Sequence, residues 1–176
     1  MSGSSDPRRS RWPWLALVAL LGGMPAAAQP APPAAGARPG LHTMEVMGVA
    51  IDPPSRQSVV ILRAVEDKRE LSILIGPQEA QAIAMPLEGQ RPPRPQTFDL
   101  VSGMLHQLNA TVLRVVITDL RDETYFATIH LRFQGREIEL DSRPSDALAL
   151  ALRERASILA DERVFSRPAS RQATGR

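Results

Sequence analysis

Between residues 41 and 165 apolar and polar positions alternate in ways that switch between a period of two and a period near 3.6. The run Met44–Ile51 suggests a first strand, stopped by Asp52-Pro53-Pro54. Ser58–Val65 and Glu70–Ile75 are β-branched apolar runs separated by Glu66-Asp67-Lys68-Arg69, the pattern of a hairpin. Gly76-Pro77 then opens a helix with Ala80, Ile83, Ala84 and Leu87 on one face, and Pro86 bends it or ends it early. After a proline-rich loop, Thr97 is placed to cap a second helix whose apolar stripe is Leu100, Met104, Leu105 and Leu108.

Thr111–Asp119, Thr124–Phe133 and Arg136–Leu140 read as three strands of a meander, joined at Leu120–Glu123 and at Gln134-Gly135. Apolar residues surround the axis of a third helix over Ala147–Arg153, so it should be largely buried. A short strand near Val164-Phe165 would finish the domain. The order predicts an α+β fold, a single domain with a mixed or antiparallel sheet of about six strands and three helices.

The ends differ in character. Residues 1–28 have the layout of a secretory signal: Arg8, Arg9 and Arg11, an apolar run Trp12–Met24, then Ala26-Ala27-Ala28. That run is shorter than the roughly 20 apolar residues that span a bilayer, so no stable membrane anchor is expected after cleavage. Export to the periplasm or the medium follows. Residues 29–40 form a Pro/Ala-rich linker and residues 166–176 a basic tail, both too poor in bulky side chains to order themselves.

Charge follows the same division. Of the chain's net +2, the two ends carry +3 each, which leaves −4 on residues 41–165. A surface that gripped nucleic acid by phosphate neutralisation alone would be basic, so this segment does not read as one. With no cysteine, thiolate-bound zinc, disulfides and a cysteine nucleophile are excluded. There is also no GxSxG, Walker or GxGxxG motif.

Chemistry concentrates in two segments. Asp141-Ser142-Arg143-Pro144-Ser145-Asp146 puts two carboxylates, two hydroxyls and a guanidinium where a strand meets a helix. Free backbone N–H groups at such a mouth attract anions, while the carboxylates offer hard oxygen ligands to a divalent cation. The structural alternative is a serine cap, with Asp146 steadying the first turn and Arg143 paired to a neighbouring carboxylate. In Arg91-Pro92-Pro93-Arg94-Pro95-Gln96-Thr97-Phe98-Asp99, prolines stiffen a loop that presents Arg91 and Arg94, and Phe98 either stacks on a base or anchors the loop in the core. His42, His106 and His130 show no metal-ligand spacing.

Glu70–Ala80, Arg94–Leu100 and Asp141–Ala147, in that order, resemble the bifunctional nuclease family over roughly Met44–Phe165. The resemblance implies an α+β domain and, as in some plant members, hydrolysis of phosphodiester bonds in both DNA and RNA, with nucleic acid as substrate and a divalent ion, Mg²⁺ or Mn²⁺, as cofactor. Carried over by position, the catalytic candidates are Asp99, Asp141, Arg143 and Asp146. Arg94, Ser142 and Ser145 are substrate-binding candidates, and Asp141, Asp146 and Glu79 are metal ligands. The family usually has His between the Thr and Asp of the second motif, where this chain has Phe98. The alternative is a non-catalytic exported module that binds a small anion or a protein partner; a homo-oligomer is compatible with either.

Overall fold

The computed structural model describes residues 40–53, 55–90 and 92–165, so the expected signal, the linker up to residue 39, Pro54, Arg91 and the tail from residue 166 lie outside the described residues. Seven strands and three helices follow in the order β1 (Leu41–Ile51), β2 (Ser58–Ala64), β3 (Glu70–Ile75), α1 (Pro77–Leu87), α2 (Thr97–Gln107), β4 (Thr111–Arg121), β5 (Thr124–Phe133), β6 (Arg136–Ser142), α3 (Pro144–Glu154) and β7 (Ser157–Asp161), with a 3₁₀ turn at Glu162–Val164. The fold is α+β, a single domain as expected, with seven strands rather than six.

The strands form one sheet in the order β3-β2-β1-β7-β4-β5-β6. Every neighbouring pair is antiparallel except β4 and β7, which run parallel. Two meanders, β1-β2-β3 and β4-β5-β6, are thus joined through a central strand made from the end of the domain. That strand corrects the expectation of a strand at Val164-Phe165. Ile158, Leu159 and Ala160 are all buried, so β7 has the unbroken apolar run of a strand covered on both faces and no alternation to mark it. Val164 instead anchors the 3₁₀ turn, with its side chain almost fully buried.

Helix α3 touches α1, α2, β4, β5 and β7. Its residues Ala147, Leu148, Ala149, Leu150 and Ala151 are all buried, which is why its apolar positions surround the axis. Leu148 belongs to one core cluster with Val60, Leu62, Ile83, Val115 and Ile117; full burial of one such side chain contributes roughly 1.5–3 kcal/mol. The helix also starts earlier than the pattern predicts. Pro144 occupies its first position, where a missing N–H costs nothing, and Arg143 is the N-cap residue in an extended conformation. Asp141 and Ser142 belong to β6. The six-residue motif is therefore split between the end of an edge strand and the first turn of a buried helix.

No helix among the described residues is long and apolar enough to cross a membrane.

Candidate functional site

At the start of α3 the guanidinium of Arg143 binds Asp146 through two hydrogen bonds, Nε to Oδ2 at 2.7 Å and Nη2 to Oδ1 at 2.9 Å. Its Nη1 donates to Oε1 of Glu79 at 3.0 Å. Glu79 comes from the first turn of α1, 64 residues away along the chain, so two of the sequence motifs meet here. The side chain of Arg143 remains 66% exposed while Asp146 and Glu79 are 30% and 22% exposed, which makes this a surface guanidinium held in place from beneath. Its two carboxylate partners, Asp146 foremost, raise the pKa of Arg143 further above the ordinary arginine value, so it stays cationic at every working pH.

The neighbouring serines do not cap the helix. Ser142 Oγ donates to the backbone oxygen of Arg143 at 2.9 Å, and Ser145 is buried. Arg143 itself holds the cap position and makes no side-chain cap bond. Asp141 is exposed on β6. Strand alternation puts its side chain on the same face as Glu137 and Glu139.

Asp99 lies at the other end of α3. Its Oδ1 accepts from Nε of Arg153 at 2.6 Å and its Oδ2 from the backbone N–H of Gln96 at 2.9 Å. Arg153 lowers the carboxyl pKa most, and the Gln96 N–H adds to this. The α2 cap is thus Gln96 rather than Thr97, with Asp99 closing the first turn. Arg153 and Asp146 are seven residues apart on α3, about 10 Å along its axis, so Asp99 does not join Asp146 and Arg143 in one cluster. Asp99 and Arg153 line a hollow of about 500 Å³ with Met85, Gln90, Pro95 and Arg155. Phe98 packs against the core, with the Arg153 guanidinium carbon 5.6 Å from its ring centroid, so it anchors the loop. Arg94 is exposed in that loop.

The metal candidates are likewise divided. Asp146 gives both oxygens to Arg143, and Glu79 gives one. A cation bound there would have to displace the guanidinium. Glu79, Asp141 and Asp146 do not bring three ligand atoms together, whereas His130, Glu137 and Glu139 do, with one ligand atom from each lying within 4.8 Å of the others, the one such group among the described residues. His130 Nδ1 is 3.0 Å from Glu137 Oε1 and 3.5 Å from Glu139 Oε1. Arg114 on β4 bonds both His130 Nδ1, at 2.9 Å, and Glu137. Arg114 chiefly, and His130 after it, hold the Glu137 carboxyl below the usual glutamate range. Spacing along the chain does not show this group, because its members come from two different strands. The signal lay in the two-residue turn at Gln134-Gly135, which sets the register of β5 and β6 so that His130 faces Glu139.

The model of the bifunctional nuclease domain matches residues 60–172. The chain belongs to the bifunctional nuclease domain family. The match spans all of the site residues described above. Two uncharacterized proteins from strains of Mycobacterium tuberculosis are 37% identical over 123 residues, covering 70% of this chain and 73% of theirs. Bifunctional nuclease 1 of Oryza sativa subsp. indica is 30% identical over 109 residues, covering 59% of this chain and 33% of the rice protein. This bifunctional nuclease domain has Phe98 where the family's second motif was expected to carry His, and a phenyl ring can neither accept a proton nor bind a metal.

Proposed function

We propose that the chain hydrolyses phosphodiester bonds of DNA and RNA, with the scissile phosphate received at the start of α3. The observation that carries this reading is Arg143, an exposed guanidinium fixed by Asp146 and Glu79 at a helix N-terminus in a member of a nuclease-named family. Two carboxylates immobilise the cation before substrate arrives, so it neutralises charge growing on the phosphate without reorganising. Asp141 projects from β6 to the face of the sheet away from α3, so the attacking water gives its proton to solvent as the bond to the leaving sugar oxygen breaks. Ser142 lies between Asp141 and Arg143. Phe98 supports this choice of end: the Asp99 side of α3 has a phenyl ring where a base would be wanted.

A divalent ion, Mg²⁺ or Mn²⁺, belongs to this reading as a source of Lewis acidity, and at this position it would compete with Arg143 for Glu79 and Asp146. Export to the periplasm or medium, argued from residues 1–28, places such an enzyme among extracellular nucleic acids.

The test is cleavage of plasmid DNA and of RNA by the full chain, with Mg²⁺, Mn²⁺ or EDTA, beside Arg143→Ala and Asp141→Asn variants. A fall of about 10²-fold or more is expected in Arg143→Ala and little change in Asp141→Asn. Equal cleavage by Arg143→Ala and parent would place the activity elsewhere.

A second reading has its own observation. Asp146 and Asp99 are both committed to arginines, as they would be in a module that binds a small anion without catalysis. Absence of cleavage with every ion, together with a melting temperature raised by inorganic phosphate in the parent and not in Arg143→Ala, would favour it.

A further inference from the structure

We propose that the outer face of α2 is a docking surface for a second copy of this chain, met through Leu100, Met104 and Leu108 in an antiparallel pair of helices about a two-fold axis. The inference stands apart from the nuclease reading. The apolar stripe expected for α2 divides in the structure. Leu105 packs with Phe98 and Val101 against the core, whereas Leu100, Met104 and Leu108 are 56%, 55% and 60% exposed. Positions i, i+4 and i+8 form one ridge along a helix surface, the ridge that interlocks with its counterpart when two helices pack. No residue of α2 is buried, and α3 is the element it chiefly packs against. An apolar ridge that no described element covers marks an interaction surface, where single scattered leucines would not.

Charge, symmetry and a glycine select a second copy as the occupant. Between Thr97 and Leu108 the ionisable side chains are Asp99 and His106, and these are held by Arg153 and Glu154. The ridge itself carries no charge, so a strongly basic or acidic partner finds nothing to answer it, and two copies meet here without like charges opposed. A two-fold contact needs a patch complementary to itself. The ridge reads Leu, Met, Leu about Met104, so antiparallel pairing sets Leu100 of each copy against Leu108 of the other and Met104 against its own counterpart. The same direction opposes the two helix dipoles rather than aligning them. Gly103, three residues on from Leu100, borders the ridge, and a Cβ built there would meet nothing within 4 Å. Glycine inside a helix costs about 0.5–1 kcal/mol relative to alanine; a second backbone passing close over this position gives the missing side chain a use. Three half-exposed side chains fall short of the roughly 800 Å² per partner of a standard interface, so the pair is weak and concentration-dependent rather than obligate.

The experiment is sedimentation velocity of the full chain up to high micromolar concentration, repeated on Met104→Lys, which sets two ammonium groups face to face at the axis. A monomer–dimer equilibrium is expected, weakened at least tenfold by the variant. Met104 is exposed, so the variant should melt with the dilute parent, which keeps a loss of pairing distinct from misfolding. The chain has no cysteine, so Met104→Cys exposed to dissolved oxygen should form a disulfide-linked dimer, because the axis brings each thiol to its own counterpart. Leu74→Cys, 57% exposed on β3, measures linkage by random collision. A parent that stays monomeric, a dimer indifferent to Met104→Lys, or linkage no faster at residue 104 than at residue 74 would each overturn the proposal. A monomeric parent that instead partitions onto neutral lipid vesicles, and loses this with Met104→Lys, would overturn it too and assign the ridge to a membrane surface.

Discussion

Arg153 Nε stands 2.6 Å from Oδ1 of Asp99, so the last turn of α3 and the first turn of α2 are joined by a charged hydrogen bond. Only 9% of the Arg153 side chain is exposed, and its Nη1 also donates to the backbone oxygens of Ala82 and Ala149. All three helices therefore meet at one guanidinium. Removing the carboxylate strands that cation in a low-dielectric place. Asp99→Ala should lower the unfolding free energy by about 2–4 kcal/mol, as loss of one partner of a buried pair does. Asp99→Asn keeps an acceptor for the Gln96 N–H and should recover about 1 kcal/mol, the worth of a helix cap. Urea unfolding of the two variants reads the difference; identical midpoints would mean that the cap contributes nothing.

Glu162 sets an acid limit. It accepts from both Nη atoms of Arg69 at 2.8 Å and pairs with His42, and these contacts, Arg69 first, pull its pKa from 4.5 down to about 2. Arg69 also binds Asp67, and its guanidinium carbon lies 4.2 Å from the ring centroid of Phe165. A carboxyl whose pKa is lower in the folded chain adds stability that is complete above its unfolded value and disappears as pH falls through the folded one. Melting temperature should therefore decline from about pH 4.5 towards pH 2 through this group. Glu162→Gln should melt lower at neutral pH and show a shallower acid decline; parallel curves for parent and variant would contradict the assignment.

Two glycines give opposite expectations for the same added methyl. Gly48 sits at the β1 bulge with φ 149°, and a Cβ there would meet nothing within 4 Å. The cost of Gly48→Ala is then backbone strain alone, about 1–3 kcal/mol. Gly103 lies inside α2, also with open space around a Cβ, and Gly103→Ala should stabilise by about 0.5–1 kcal/mol. Thermal unfolding checks both signs in one series.

Much of the fold was legible because its elements announce themselves locally. Strand β5 runs from Thr124 to Phe133 as its alternation predicts, and Pro77 opens α1. Pro86 sits one residue before that helix ends at Leu87. What stayed hidden depends on contacts between distant segments. Ser157–Asp161 is too short and too uniformly apolar to show a period, and only its neighbours β1 and β4 make it a strand. The motif at Asp141–Asp146 was visible as chemistry, yet its division between β6 and α3 was not, because the strand gains Asp141 and Ser142 by pairing with Thr128 and Ala127. The Arg143 contact with Glu79 follows from α1 lying against α3, and the His130 group from hairpin register; neither is written in the spacing of residues along the chain.

The place of β7 has a consequence for biosynthesis. The two meanders adjoin only through this strand, and it is the last of the seven to leave the ribosome. Until it arrives, β1 and β4 each offer an unpaired edge to the surroundings. A nascent chain stopped before Ser157 would consist of two half-sheets prone to sticking to other molecules, and the arrival of a single five-residue segment turns them into one continuous sheet.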